Sequence, residues 1–145
     1  MFLRKSSFAE SPSLNGLRIL VVDNNDDCLC MIKLIFEDCQ AEIKTAISVQ
    51  QAIQIIEEWK PHILISEIAL PGQDGYSLIR FIRNKEANCG GFIPAIALTN
   101  YLDLEYVNTA INAGFQDVIY KPFALHELVE TVANLAQTMS LNSLV

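Results

Sequence analysis

Apolar runs of strand length alternate five times with amphipathic segments of helix length, and this alternation limits the possible folds more than any other feature. The predicted strands are Arg18–Val22, Glu42–Ala46, His62–Ser66, Ala95–Leu98 and Asp117–Tyr120. Strands that alternate with helices pair in parallel, because each helix carries the chain back across the sheet in a right-handed crossover. The sequence therefore predicts an α/β protein with a five-stranded parallel sheet and five flanking helices.

The helical segments carry their own start and stop signals. Helix one is predicted to begin at Asp26 or Asp27, either of which can cap it. Helix two begins at Ser48, and Gln51 three residues later completes a capping box. Gly114 is a natural left-handed stop for helix four. The remaining helices are predicted over Tyr76–Lys85, Leu104–Asn112 and Leu125–Gln137.

The composition fits one domain of this class. The chain has 145 residues, of which 51% are hydrophobic and 19% are charged, as expected for a sheet that is buried on both faces. We predict a domain over residues 17–138, a Ser-rich flexible tail over residues 1–16 and a C-terminal tail over residues 139–145. The alternative for the N-terminal segment is an arm that binds a partner through its apolar side chains.

Charge and hydropathy argue against several functions. The formal net charge of −7 disfavours nonspecific binding to DNA or to anionic membranes, since both require a basic surface. No apolar run reaches the roughly 18–20 residues of a membrane span, and the N-terminus lacks the apolar core of a secretory signal. The four cysteines lack paired spacing and are predicted to be reduced thiols, while His62 is predicted to lie at the surface. We therefore expect a stand-alone, cytoplasmic domain.

Polar side chains follow four of the predicted strands at the point where each strand ends. They are Asp23 with Asn24, Glu67, Thr99 with Asn100, and Lys121. In open parallel sheets, ligands bind just beyond the carboxyl ends of the strands. Carboxylates, a hydroxyl and an ammonium group that converge there suit phosphate or metal chemistry, so these residues form the candidate site.

Four short motifs occur in order along the chain: Ile19–Asp23, Leu70-Pro71 followed by Asp74-Gly75, Ala97–Thr99, and Lys121–Phe123. Their strand-end residues are spaced by 44 residues from Asp23 to Glu67, 32 more to Thr99 and 22 more to Lys121. With these motifs and intervals, roughly residues 17–137 resemble a two-component response-regulator receiver domain. The resemblance implies a flavodoxin-like, doubly wound fold with strand order 2-1-3-4-5 and a site between strands one and three.

The chain departs from the family pattern at three positions of the expected site. The family usually has a second acid after the first strand, and Asn24 stands there in this chain. A phosphorylatable aspartate is usual where this chain has Glu67. An aromatic switch residue is usual three positions before the lysine, and this chain has Val118, so that switch cannot operate in its usual form.

In such domains an aspartate carboxylate attacks a phosphoryl donor while Mg²⁺ screens the approaching oxygens. The resemblance implies metal ligands at Asp23, Asn24, Glu67 and the Ala69 carbonyl. Because Asn24 brings no charge, the cluster falls from three carboxylates to two, and weak Mg²⁺ binding is expected. No other cofactor is expected.

The resemblance also assigns a phosphate pocket to Thr99, Asn100 and Lys121. In the family the peptide between this lysine and the following proline is cis, which directs the ammonium group into the pocket. Glu67 is one methylene longer than aspartate, so its oxygens reach toward the place of a phosphoryl group and are misplaced for nucleophilic attack.

We therefore predict a non-enzymatic pseudo-receiver in which Glu67 pairs with Lys121. One alternative is an acid that holds Lys121 for structural reasons alone, and a second is a weakly phosphorylated, Mg²⁺-dependent receiver. A third is a flavodoxin-like small-molecule binder, which is disfavoured because no Gly-rich phosphate loop follows strand one.

By resemblance, the partners would be signalling proteins of a phosphorelay, namely a histidine kinase, a phosphotransfer protein or a downstream effector. DNA and membranes are not expected as partners. The expected contact surface is the face of helix four, strand five and helix five, which also offers a homodimer interface.

Overall fold

The computed structural model describes residues 13–100 and 104–144, with side chains described for residues 13–100 and 107–139. The strands are β1 (Arg18–Val22), β2 (Glu42–Ala46), β3 (Ile63–Glu67), β4 (Ala95–Thr99) and β5 (Asp117–Tyr120). The helices are α1 (Asp26–Asp38), α2 (Val49–Trp59), α3 (Gly75–Cys89), α4 (Leu104–Ala113) and α5 (Leu125–Leu144). All strand pairs are parallel, in the order β2-β1-β3-β4-β5. The predicted fold and strand order are therefore confirmed.

The sheet is buried on both faces, and alternate residues of each strand pack into opposite layers. In β1, Ile19 and Val21 contact the layer that contains the buried faces of α1 and α5. Leu20 and Val22 contact the layer formed with α2, α3 and α4. All four side chains are fully buried, as the period of two along a strand requires. Because both faces of the sheet are buried, polar side chains of the strands can form a site only where the strands end.

The first two helices begin as their capping residues dictate. The N-cap of α1 is Asn25, not Asp26 or Asp27, and its Oδ1 accepts the Cys28 amide at 2.9 Å. The two aspartates instead lie in the first turn, where negative charge is favourable to the helix dipole. The N-cap of α2 is Ser48, as the sequence predicts.

Helix α3 is longer than its apolar pattern indicates. Asp74 caps it and accepts the Ser77 amide, and the helix continues to Cys89 rather than ending near Lys85. The added turn has no apolar periodicity, but Glu86 within it bonds both the Arg83 guanidinium and the Ile93 amide. These tertiary contacts stabilise a turn that the local sequence leaves unspecified.

Both predicted tail boundaries differ from the structure. Leu14 is buried, and its amide donates to the Cys39 carbonyl at 2.9 Å, so the ordered domain begins before residue 17. Residues 1–12 lie outside the described residues. At the other end, α5 runs through most of the expected C-terminal tail to Leu144. Neither Pro nor Gly interrupts this segment, and Met139 packs against the buried layer of α1 and α5.

His62 is half-buried rather than a surface residue. Strand β3 begins at Ile63, and the His62 amide donates to the Arg18 carbonyl at 2.8 Å. In return, the Arg18 amide donates to Nδ1 of His62 at 3.0 Å. The imidazole thus extends the pairing of β1 and β3 by one hydrogen bond.

Arg83 joins three elements at the amino-terminal edge of the sheet. Its guanidinium donates to the Gly114 carbonyl at 3.1 and 2.8 Å, to Glu86 at 2.8 Å and to the Ile93 carbonyl at 2.9 Å. It also donates to Gln116, whose Oε1 accepts the Ala95 amide at 2.7 Å. One side chain therefore ties α3 to the start of β4 and to the turn before β5.

Candidate functional site

Three charged side chains meet at the carboxyl edge of the sheet. β1 and β3 are neighbours, and Val22 lies opposite Ser66. The next residue after Val22 is Asp23 and the next after Ser66 is Glu67, so these two acids lie side by side. Lys121 follows β5, and its amide donates to the Thr99 carbonyl at 2.8 Å. The parallel order of the strands therefore brings together residues that are far apart in the sequence.

The ammonium group of Lys121 bridges the two carboxylates. Its Nζ lies 2.7 Å from Oδ2 of Asp23 and 2.8 Å from Oε1 of Glu67. The exposed fractions of the three side chains are 16% for Lys121, 1% for Asp23 and 6% for Glu67. The peptide bond between Lys121 and Pro122 is cis. This is an ion-pair network in a poorly hydrated environment, where charge interactions are stronger than at the surface.

The second carboxylate oxygen of Glu67 is held by the backbone. Its Oε2 accepts the amides of Ile68 at 2.8 Å and Ala69 at 3.1 Å. Gly75, at the start of α3, closes the same loop, since its amide donates to the Ile68 carbonyl at 2.8 Å. A Cβ on Gly75 would lie 2.6 Å from the Glu67 carbonyl oxygen, so only glycine permits this close approach. Both oxygens of Glu67 thus have hydrogen-bond donors.

Asp23 also stabilises a turn. Its Oδ1 accepts the amide of Asn25 at 3.0 Å, and its own amide donates to the Ala46 carbonyl at 3.0 Å. Asn24 between them is exposed. The carboxylate of Asp23 is therefore shared between Lys121 and the turn that leads into α1.

The carboxylates determine the protonation state of Lys121. Burial alone lowers the pKa of its ammonium group, but the hydrogen bonds and negative charges of Asp23 and Glu67 outweigh burial, and the net pKa is raised. Lys121 therefore remains a cation throughout the physiological pH range, and the network keeps its central positive charge.

Cys28 is a neighbour of this site that the sequence does not reveal. It lies in the first turn of α1 and is half-buried. Burial raises the pKa of its thiol to about 11, and the charge of Asp23 adds to the increase. The side chain is therefore a protonated thiol. The sequence indicates this proximity only through the position of Cys28, five residues after Asp23 in the first turn of α1.

Thr99 and Asn100 lie at the same edge of the sheet, whereas Val118 lies within β5, opposite Ala97. Thr99 ends β4 and is buried, with 1% exposure, while Asn100 next to it is exposed. Val118 is half-buried and packs against the layer of α2, α3 and α4. At the switch position the chain therefore has an aliphatic side chain that contributes to the core. Two tyrosines could compensate for the missing aromatic: Tyr101 lies outside the described residues, and Tyr120 ends β5 and is half-buried.

The donor set at this edge fits a magnesium ion poorly. Mg²⁺ prefers octahedral oxygen ligands, and charged carboxylates are the strongest of them. Here the Lys121 ammonium bonds both carboxylates, and Asn24 adds a neutral amide. Among the described residues, no group of three or more His, Cys, Asp or Glu side chains could hold a metal ion.

The described part of the chain also contains no helix long and apolar enough to cross a membrane.

Comparison with known proteins assigns the family. The family model for the response regulator receiver domain matches residues 19–133. The chain belongs to the response regulator receiver domain family. The receiver match spans β2 to β5 and α1 to α4 in full, together with β1 from Ile19 onward, and it includes Asp23, Glu67, Thr99 and Lys121.

Individual relatives are similar to most of this chain. The chain is 35% identical over 120 residues to an uncharacterized 14.6 kDa protein encoded in the sodA1 3' region of Leptolyngbya boryana, covering 83% of this chain and 90% of that protein. It is 29% identical to the two-component response regulator ARR10 of Arabidopsis thaliana, covering 78% of this chain and 20% of that protein. The crystal structure of a two-component response regulator from Clostridium difficile superimposes with a TM-score of 0.78 at 27% identity, covering 85% of this chain and 98% of that one.

Proposed function

We propose that this receiver domain is a pseudo-receiver, which signals through protein contacts without phosphoryl transfer to residue 67. The observation that carries the proposal is the bridge from Lys121 to Glu67, at 2.8 Å. In this interpretation the Glu67 carboxylate permanently provides part of the negative charge that a phosphoryl group provides transiently in other receivers.

The contacts of Glu67 support its role as a stand-in for a phosphoryl group. A phosphoryl group on an aspartate would present oxygens farther from the strand than the aspartate carboxylate does. The extra methylene of glutamate moves the charge in that direction. Its two oxygens accept hydrogen bonds from one ammonium group and from the amides of Ile68 and Ala69, which are suitable donors for a phosphoryl oxygen.

The same contacts oppose a role for Glu67 as a nucleophile. Attack on a phosphoryl donor requires an oxygen that is free and in line with the leaving group. Both Glu67 oxygens are engaged in charge-assisted or backbone hydrogen bonds. Weak Mg²⁺ binding would also leave the charge of the incoming phosphate less screened. Both factors reduce the rate of phosphorylation.

The proposed partners follow from the family. We infer that this domain acts in the cytoplasm by contacting a histidine kinase, a phosphotransfer protein or a downstream effector, with the face of α4, β5 and α5 as one candidate surface. The small-molecule alternative is disfavoured, since β1 is followed by Asp23-Asn24-Asn25 rather than by a Gly-rich phosphate loop.

Intact mass spectrometry after incubation with acetyl phosphate and Mg²⁺ tests the proposal. The wild-type mass should remain unchanged. The double variant Asn24→Asp/Glu67→Asp restores both family acids and should gain one acid-labile phosphoryl group. The matched control, Asn24→Asp/Glu67→Asn, keeps the size of the restored side chain but has no nucleophilic carboxylate, and its mass should remain unchanged.

A stoichiometric phosphoryl adduct on the wild type would overturn the pseudo-receiver proposal and establish the weakly phosphorylated alternative. An adduct on the control Asn24→Asp/Glu67→Asn would place the reaction at a residue other than 67. An unmodified double variant would show that the pocket differs from an active receiver at more than these two positions.

A further inference from the structure

A cleft lies between the carboxyl ends of α2 and α3, at the amino-terminal edge of the sheet and therefore at the edge opposite Glu67. Its volume is about 340 Å³, which falls within the roughly 300–1,000 Å³ of small-molecule sites. The turn that follows α3, at Gly90–Phe92, forms part of its wall. We call this feature the α2–α3 cleft.

The buried residues that line the α2–α3 cleft are apolar. They are Ile56, Pro61 and Ile82. Phe92 also lines the cleft and has an exposed fraction of 56%. Its ring centre lies 4.4 Å from the guanidinium carbon of Arg83, a cation–π contact that fixes the ring while leaving apolar surface accessible. These surfaces suit a hydrocarbon chain or an aromatic ring.

The charged residues around the cleft leave one positive charge without a partner. Glu86 pairs with Arg83 at 2.8 Å, and Glu57 pairs with Lys85 at 3.6 Å. Lys60 is exposed, and it forms no ion pair with the described residues. A ligand with a single negative charge would therefore complement the cleft, whereas a cation would not.

The turn after α3 adds hydrogen-bond donors to this positive charge. The Gly90 amide donates to the Glu86 carbonyl at 2.7 Å, and the Ile93 amide donates to the Glu86 carboxylate at 2.7 Å. Between them, the amides of Gly91 and Phe92 donate to no described residue. Both residues line the cleft, so their amides are free to donate to the oxygens of a bound anion.

We propose that the α2–α3 cleft binds a small amphipathic monocarboxylate, with its apolar part against Ile56 and Ile82 and its carboxylate near Lys60. A second copy of this chain is a poor occupant, because two chains that each carry a net charge of −7 repel each other. The cleft shares no residue with the edge that holds Glu67. The failure of this proposal would therefore leave the proposed function intact, and the reverse also holds.

Hydrocinnamate, a phenyl ring joined by two methylenes to a carboxylate, serves as the probe. Hydrocinnamide has the same size and shape without the charge and is the matched control. Each compound is titrated into the ¹⁵N-labelled full chain while amide shifts are recorded. We expect hydrocinnamate to shift the amides that line the cleft and to bind about fivefold more tightly than hydrocinnamide. Its binding should weaken as salt rises.

Matched variants test the role of the unpaired ammonium group. Lys60→Met keeps most of the side chain but removes the charge, and it should weaken hydrocinnamate binding by about fivefold without changing hydrocinnamide binding. Lys33→Met makes the same change of net charge on the exposed face of α1 and should leave both affinities unchanged. Thermal unfolding of the two variants verifies that each remains folded.

Cys89 provides an independent readout, because it lines the cleft and its thiol is exposed. Saturating hydrocinnamate should slow the alkylation of Cys89 by N-ethylmaleimide. Cys30 is exposed on α1 and serves as the internal control, so its alkylation rate should stay the same. Mass spectrometry of the proteolytic peptides measures both rates in one sample.

Four outcomes would overturn the proposal: no saturable binding of hydrocinnamate, equal affinity for hydrocinnamate and hydrocinnamide, shifts centred away from the cleft, or equal effects of Lys60→Met and Lys33→Met. A concentration-dependent dimer in which Cys89 is protected without any ligand would also overturn it, because the occupant of the cleft would then be a second copy of the chain.

Discussion

The Nζ atom of Lys121 lies 2.8 Å from Oε1 of Glu67, although the two residues are 54 positions apart in the sequence. The same ammonium group bonds Asp23 at 2.7 Å. One half-buried cation thus compensates two buried anions. Removing the ammonium group leaves two carboxylates close together in a poorly hydrated site. This should destabilise the fold more than the removal of one carboxylate.

Substitution Lys121→Met should therefore strongly destabilise the domain. It keeps most of the side-chain volume but leaves Asp23 and Glu67 without their shared partner. We expect the free energy of unfolding to fall by about 3 kcal/mol, the usual effect of removing one member of a buried ion pair. Urea unfolding followed by circular dichroism measures the change.

The double variant Lys121→Met/Glu67→Gln removes the repulsion that the single lysine substitution creates. It should be more stable than the sum of the two single effects predicts, by about 1 kcal/mol or more. Simple additivity of the two substitutions would show that Glu67 and Lys121 do not interact in solution, contrary to the bridge that supports the proposed function.

Substitution Asn24→Asp should strengthen Mg²⁺ binding by about tenfold, because it returns a negative charge to an edge where, among the described residues, two carboxylates face the ammonium group. Isothermal titration calorimetry compares the two proteins. Asn100→Asp is the matched control, since it adds the same charge at the exposed end of β4 and should change the affinity less. Equal affinity of wild type and Asn24→Asp would indicate that another acid, with Asp26 the nearest in sequence, already supplies the charge.

Substitution Arg83→Lys should destabilise the fold by about 2 kcal/mol, because lysine keeps the charge but cannot reproduce the fork of donors to Gly114, Glu86 and Ile93. Arg80→Lys on the same helix is the control. Arg80 is exposed and lies over the Tyr76 ring at 5.9 Å, so its replacement should cost about 0.5 kcal/mol or less. Thermal unfolding compares the two, and equal losses would contradict the central role of Arg83.

His62 should make stability depend on pH in the weakly acidic range. Burial and the charge of Arg18 lower the pKa of its imidazole below the ordinary value of 6.5. Above about pH 6.5 both folded and unfolded states hold neutral histidine, and the full stabilisation is present. As the pH falls below that value, His62 binds a proton in the unfolded chain but stays neutral in the folded chain. The free energy of unfolding therefore decreases until the pH falls below the pKa of His62 in the folded state.

Replacement His62→Asn retains an acceptor for the Arg18 amide without a titrating group. Between about pH 7.5 and about pH 5 the wild type should lose more stability than this variant. His126→Asn alters the other histidine, which is exposed on α5, and should follow the wild type. A wild-type profile that His126→Asn flattens, with no effect of His62→Asn, would contradict the assignment.

Much of the fold follows from local patterns in the sequence. The predicted bounds of β1, β2 and β5 agree with the structure, because apolar runs end there on polar or turn-forming residues. The last turn of α3 and the extension of α5 were missed. Glu86 stabilises the former through contacts with Arg83 and Ile93, and such contacts depend on residues that no periodicity connects.

The candidate site, too, could be predicted from the sequence only in part. The proximity of Asp23, Glu67 and Lys121 follows from strand ends that share one edge of a parallel sheet. The hydrogen bonds from Ile68 and Ala69 to Glu67 depend on the course of the loop, and the sequence does not specify that course. His62 was misassigned to the surface because its acceptor role depends on the neighbouring strand.

A carboxylate that belongs to the polypeptide cannot be hydrolysed away. Receivers that carry a phosphoryl group have a signal with a lifetime, set by the rates at which the group is added and lost. Under the proposed function, the contact between Glu67 and Lys121 exists from the moment the chain folds. The strength and duration of the response would then follow the synthesis and degradation of the protein, and control would pass from phosphoryl turnover to gene expression and proteolysis.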